Sequence, residues 1–206
     1  SQARGQLHTT ATVREFESVR VFSPTEENRE RFAAEFDDHL EASVEAVDSS
    51  SAAVSGADVV IAATKAADPV VDSDDLEPGT HVTAMGQYTP GRNELDPATI
   101  ERATYVPDLR DRATQDAGSF LAALEAGVID EDHVHAELGE VVAGTVPGRT
   151  SDDELTVFDS GGTGIETVAA AHMLYEKARA KGLGTELSIA PASEALTGRI
   201  PENAGD

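Results

Sequence analysis

The 206-residue chain has no cysteine and no tryptophan, only three lysines (Lys65, Lys177 and Lys181), and aromatic residues at 4%. Without thiols there is no disulfide and no thiolate metal centre. With so few aromatics, the core must be built mainly from Ala, Val, Leu and Ile. No apolar run approaches the roughly 20 residues that cross a bilayer, and no basic-then-apolar leader opens the chain. The expected location is therefore cytoplasmic, without a membrane partner. Bases are also scarce: 15 Lys and Arg stand against 39 Asp and Glu, a formal charge of −24. Backbone phosphates are bound by Lys and Arg, so nucleic acid is excluded as an expected partner.

Such acidity has two readings. High charge with low hydrophobicity is a signature of disorder. Here, however, the acids lie between regular apolar runs, which points to a folded domain with an acidic skin. A skin of that kind, poor in Lys, suits concentrated salt, where charge self-repulsion is screened. A halophilic source is the expectation.

Strands and helices are predicted to alternate along the chain. Residues 5–16 (GQLHTTATVREF) read as a helix and 19–22 (VRVF) as a short buried strand. Thr25 then offers an N-cap, with Glu26 and Glu27 in the first turn of an amphipathic stretch to Phe36. Residues 41–47 read as a strand and 48–55 as a short helix. The run at 57–63 (ADVVIAA) is apolar throughout, as a strand buried on both faces would be. Further strands are predicted at 81–85 (HVTAM), 104–107 and 155–158. A Pro-capped segment spans 96–102, and helices are predicted at 119–126, 136–143 and 164–181. This alternation implies βαβ units and a mostly parallel sheet with flanking helices.

The opening residues fit such a fold poorly. A dinucleotide-binding sheet runs its first strand into a glycine-rich turn, and the next helix receives the pyrophosphate at its N-terminus. No G-x-G-x-x-G precedes Gly5. Either the fold starts with a helix or the chain begins inside a phosphate loop; periodicity leaves both open.

Longer stretches carry a resemblance. Residues 130–160 (DEDHVHAELGEVVAGTVPGRTSDDELTVFDS) and 81–96 (HVTAMGQYTPGRNELD) resemble the ornithine cyclodeaminase/mu-crystallin family. The likeness continues through 55–64 (SGADVVIAAT) and 169–184 (AAAHMLYEKARAKGLG), and covers about residues 1–190. The family's Gly-rich turn is followed by Ser/Ala-Gln-Ala, which is how this chain opens. The resemblance implies a Rossmann-like NAD(P)-binding domain over residues 1–183, lacking its first strand and the N-terminal substrate and dimerisation domain. Residues 184–206 would form a tail returning to that missing domain. It implies reversible hydride transfer between NAD or NADP and the α-carbon of an amino acid or imine, a homodimer in the full-length protein, and an inactive fragment. True ornithine cyclodeaminase, forming proline and ammonia, is one alternative. A non-catalytic nucleotide or small-ligand binder of the crystallin type is another.

Candidate residues follow from strand ends, because ligands of open α/β sheets bind outside the carboxyl ends of strands. Thr64 ends one predicted strand, and Thr83, Ala84, Met85 and Gly86 end the next. Ser1 and Gln2, at a helix start, would offer free N–H groups to an anion unless that terminus frays. Ser23 stands where NAD-selective proteins place an acid on the ribose diol. With no acid there and Arg29 nearby, NADP is slightly favoured. Arg92 stands where the family places a Lys or Arg on the cofactor; its bland alternative is an exposed ion pair with Glu94. Ser160, in the glycine-rich stretch 159–164, is the expected nicotinamide contact. Tyr88 is the departure: it replaces the Asp that handles protons in the cyclodeaminase pattern G-x-D-x-P-G-K. A phenol titrates near pH 10 and is a poor base at neutrality, although it donates protons. Tyr88 is thus the candidate catalytic residue, and ornithine cyclisation is disfavoured; a plain packing role is the alternative. His133, His135 and Glu137 lack the helical spacing and third ligand of catalytic zinc, and no metal is expected.

Overall fold

Short runs of β-branched and small apolar residues pair in parallel throughout. The computed structural model describes residues 2–85 and 88–187, and the chain divides into two units, Ser1–Gly162 and Thr163–Asp206. In the first unit β1 (Ser18–Val21) pairs with β2 (Ser43–Ala46). A second sheet has the order β3 (Val59–Ala62), β4 (His81–Ala84), β6 (Thr156–Asp159) and β5 (Thr104–Pro107). The helices are α1 (Gln2–Ala11), α2 (Glu26–Asp37), α3 (Ser50–Val54), α4 (Pro97–Arg102), α5 (Arg110–Asp116), α6 (Gly118–Glu125) and α7 (Leu138–Val142). In the second unit lies α8 (Gly164–Ala180).

The architecture is α/β with parallel strands and flanking helices, as the sequence implies. It departs from a single sheet: β1 and β3 do not pair. Their side chains Val19, Val21, Val59 and Ile61 instead line a cleft of about 200 Å³ with Leu7 and Phe32.

Alternation along the four-stranded sheet divides its two faces. Val60, Ala62, Val82, Ala84, Tyr105 and Val157 are buried on one face, against Leu95, Ile100, Phe120 and Ala123. The Tyr105 and Phe120 rings lie 4.9 Å apart. On the other face His81, Thr83, Thr104, Val106, Thr156 and Phe158 line a cavity of about 510 Å³. Register sets the carboxyl ends level: Ala62, Ala84, Asp159 and Pro107 form the last rung across β3, β4, β6 and β5.

Helix boundaries follow their caps. Asp96 accepts a hydrogen bond from Thr99 N at 2.9 Å and precedes Pro97, opening α4. Ser49 accepts from Ala52 N at 3.0 Å and opens α3. Thr163 and Glu166 cap α8 reciprocally. Thr25 does precede α2, but its side chain makes no capping bond. The helix predicted at 5–16 starts at Gln2 and stops at Ala11. There the Thr9, Thr10 and Thr12 hydroxyls bond back to the carbonyls of Gly5, Gln6 and Thr9, a local competition that weakens helices. α5 was not predicted. No helix of the described residues is long and apolar enough to cross a membrane. The predicted tail lies outside the described residues from position 188 onward.

Candidate functional site

The last rung delivers one ionisable side chain to the core. Asp159 points to the same face as Val157, is 4% exposed, and accepts a 2.6 Å hydrogen bond from the Tyr105 hydroxyl. Burial pushes this carboxyl from its ordinary 3.8 up to about 7. The Tyr105 hydrogen bond opposes the rise, and the neighbouring Glu94 and Asp108 carboxylates reinforce it. A buried carboxyl that titrates near neutrality is typical of working sites.

Glu94 ties two strand ends together. One carboxylate oxygen accepts from Thr64 N at 2.5 Å and from Thr64 Oγ1 at 2.6 Å, just past β3. Its other oxygen accepts from Met85 N at 3.2 Å, just past β4. Glu94 is almost wholly buried, which corrects its reading as the exposed partner of Arg92. The Arg92 guanidinium instead donates to the Lys65 carbonyl at 2.6 Å, because the intervening loop turns Glu94 inward.

Beyond β6, Ser160 N donates to the Ala84 carbonyl at 2.8 Å. Gly162 N donates to Asp108 Oδ2 at 2.6 Å. The Tyr88 hydroxyl donates to the Asp159 main-chain carbonyl at 3.0 Å. Burial raises the Tyr88 pKa, helped by Asp159 and Asp108, so the phenol keeps its proton across the ordinary pH range. Arg112 sits over the Tyr88 ring at 5.1 Å and grips the Asp116 carboxylate through Nε at 3.0 and 3.1 Å.

The tip of β1 is different in charge. The Ser23 carbonyl accepts from Arg29 Nη1 at 3.2 Å, and Arg29 Nη2 reaches Asp48 at 2.8 Å. Among the sequence candidates, then, Thr64, Ala84, Met85, Tyr88 and Ser160 gather at one end of the four-stranded sheet, with Arg92 beside Thr64. Ser23 lies at the end of β1. Thr83 lies within β4 on the opposite face, its hydroxyl 3.2 Å from His81 Nε2. Gln2 is exposed at the start of α1, while Ser1 and Gly86 lie outside the described residues. His133 and His135 turn to the Ile100 and Pro147 carbonyls. No group of three or more His, Cys, Asp or Glu suited to a metal occurs among the described residues.

The sequence reading missed Glu94, Tyr105, Asp108 and Asp159 as site residues. A signal existed for two of them. Asp108 directly follows β5 and Asp159 closes β6, and period-2 alternation from Val157 places Asp159 on the buried face.

A guanidinium paired with Asp48 thus stands at the β1 tip, and buried carboxyl groups stand at the β5 and β6 tips.

Known proteins share this sequence and fold. The chain is 35% identical over 190 residues to the alanine dehydrogenase of Archaeoglobus fulgidus, covering 92% of this chain and 58% of the relative. Thermococcus litoralis Δ1-pyrroline-2-carboxylate reductase, solved with NADH and L-proline, superposes with a TM-score of 0.86 at 36% identity, covering 90% of this chain and 58% of that one. The iminosuccinate reductase of Paracoccus denitrificans, solved with NAD+, gives 0.80 at 36% identity, covering 89% and 56%. The chain thus spans a little over half the length of these relatives. Residues 1–182 match the profile of the ornithine cyclodeaminase/mu-crystallin family. Matched over residues 1–182, this chain belongs to the ornithine cyclodeaminase/mu-crystallin family.

Proposed function

We propose that the protein carrying this chain is an NAD(P)-dependent oxidoreductase acting on an amino acid or its imine, with this chain supplying most of the cofactor site. The observation that carries the reading is the level row of strand ends, where Glu94 and the Ala84 carbonyl join Thr64, Met85 and Ser160. Relatives solved with NADH or NAD+ share this fold. When bound, the cofactor supplies the hydride acceptor or donor. Thr64, Met85, Gly86 and Ser160 would flank its nicotinamide half, Arg92 would assist from beside Thr64, and Gln2 would approach its phosphates. Ser23 and Arg29 would receive the adenosine ribose; no acid directly follows β1, and Arg29, shared with Asp48, would let the tip accept NADP as well as NAD.

Tyr88 favours simple oxidoreduction over cyclodeamination. Its proton is committed to a main-chain carbonyl, and no carboxylate stands at that position to take and return protons as a second amine attacks. We further propose a homodimer in the cytoplasm of a salt-adapted cell, on the acidic composition and the dimeric form of an archaeal alanine dehydrogenase solved with NAD.

The test is titration of NADH and NADPH against the gene-encoded protein in molar KCl, followed by nicotinamide fluorescence. Micromolar-range binding is expected. No binding of either cofactor at millimolar concentration would overturn the reading. In turnover, pyruvate with ammonia or a cyclic imine should oxidise NAD(P)H, while ornithine should give little proline.

A further inference from the structure

Two adjacent glycines follow Ser160, and they are required for different reasons. Gly162 has a φ of +70°, in the left-handed region that favours glycine. Gly161 has an ordinary φ, and any residue could adopt its backbone. Its constraint is contact: a Cβ there would lie 2.4 Å from Tyr88 Cε1 and Cζ and 2.7 Å from Cδ1. These atoms belong to the body of the ring, not to a flexible chain end. Nor is the ring free to withdraw. Its hydroxyl is bonded to the Asp159 carbonyl, and Arg112, held by Asp116 on α5, covers it.

We propose that Tyr88 and Gly161 are a matched pair, and that Tyr88 is a positioning residue which sets the 159–162 loop and thereby Ser160. The phenyl ring rests on bare main chain, so the loop lies closer to the β4 tip than a side chain at position 161 would permit. Ser160 is then fixed from both sides, by its own N–H on the Ala84 carbonyl and by the clamp on the next residue. Tyr88 acts through this loop and transfers no proton. The proposal rests on the nucleotide-binding reading above.

A double-mutant cycle in the gene-encoded protein tests it, using Tyr88→Ala, Gly161→Ala and the pair, with Tyr88→Phe as the conservative control. With the nicotinamide ring itself excited, emission of bound NADH reports the ring's environment directly. Gly161→Ala should weaken NADH binding about tenfold and quench the emission gain, since overpacking of a clamped contact has costs of that order. Adding Tyr88→Ala should restore most of the affinity, because the collision is removed. Tyr88→Phe should stay within about threefold of wild type, having lost one neutral hydrogen bond while keeping the ring. If Gly161→Ala is too unstable to titrate, recovery of folding in the double variant supports the pairing, and Tyr88→Ala against wild type reads the positioning. Additive losses in the double variant would overturn the pairing. Changes confined to melting temperature, with affinity and emission intact, would overturn the positioning role. A wild type that binds neither cofactor overturns the oxidoreductase reading and the positioning role together, while melting temperatures in the same cycle still decide the steric pairing.

Discussion

The two sheets of the first unit are built unequally. The β3–β4–β6–β5 sheet rests on a continuous cluster in which Tyr105, Leu95, Ile100 and Phe120 are fully buried. The β1–β2 sheet rests on Leu7, Phe32 and Phe36, with the last two rings stacked at 4.7 Å. Around that small cluster the chain carries Glu26, Glu27, Glu30, Glu35, Asp37 and Asp38 in or beside α2, Glu41 before β2 and Glu45 within it. Arg4, Arg29 and Arg31 pair with Glu35, Asp48 and Glu27, so one region has the larger apolar core and the other a smaller core under an excess of acids. The difference teaches that stability is not shared evenly, and that the β1 tip at Ser23 belongs to the weaker region.

Substitutions in the two cores should show the inequality most strongly. Phe120→Ala leaves a cavity against Tyr105 and should cost about 3–5 kcal/mol, with both sheets melting together. Phe36→Ala should release amide protection only in α1, α2, β1 and β2. Denaturant titration with hydrogen exchange separates the outcomes, and uniform loss of protection in Phe36→Ala would contradict the division. Next in size is salt. Molar KCl shortens the Debye length to about 3 Å, against about 30 Å at 0.01 M. On dilution the β1–β2 region should exchange first, followed by the four-stranded sheet. Circular dichroism and exchange unchanged at low salt would remove the electrostatic half of the comparison.

Asp159 sharpens the comparison from the stronger side. Its folded pKa, about 7, lies above the ordinary 3.8. Between roughly pH 4 and 7 the folded state therefore holds a proton that the unfolded state has lost. The stability this contributes is complete below pH 4 and is lost as pH rises to about 7. Asp159→Asn should abolish that slope and leave the variant more stable than wild type at pH 8. Thermal unfolding across this range is the measurement, and an unchanged slope would count against Asp159 as its source. The smallest contrast is in the caps. Ser49→Ala should cost about 1 kcal/mol, because its hydroxyl accepts from Ala52 N. Thr25→Ala, which loses no capping bond, should fall within about 0.5 kcal/mol of wild type.

Much of this layout was legible in the residues. The run ADVVIAA declares β3 by its unbroken apolar character, and Asp96-Pro97 declares the start of α4. The strand tips Thr64, Ala84 and Ser160 followed from topology. α5 escaped because RDRATQD is polar, follows a proline-bearing strand and opens at Leu109, which offers no capping oxygen. The role of Glu94 escaped because it depends on a loop folding back over two strands, thirty residues from Thr64 in sequence. The separation of the sheets was equally invisible. Strand periodicity reports which faces are buried, not which edges meet.

Strand order also governs how the chain reaches its native state. Among the described residues β6 is the last strand, yet it enters between β4 and β5. During synthesis β4 and β5 cannot close against each other, and the gap between them awaits residues that emerge some fifty positions after β5. Nascent chains therefore wait with two adjacent edges unpaired, a topology that slows folding through long-range closure. The strand that ends the wait brings the buried carboxyl of Asp159, so the protonation state of a single side chain meets the folding chain at its final, sheet-completing step.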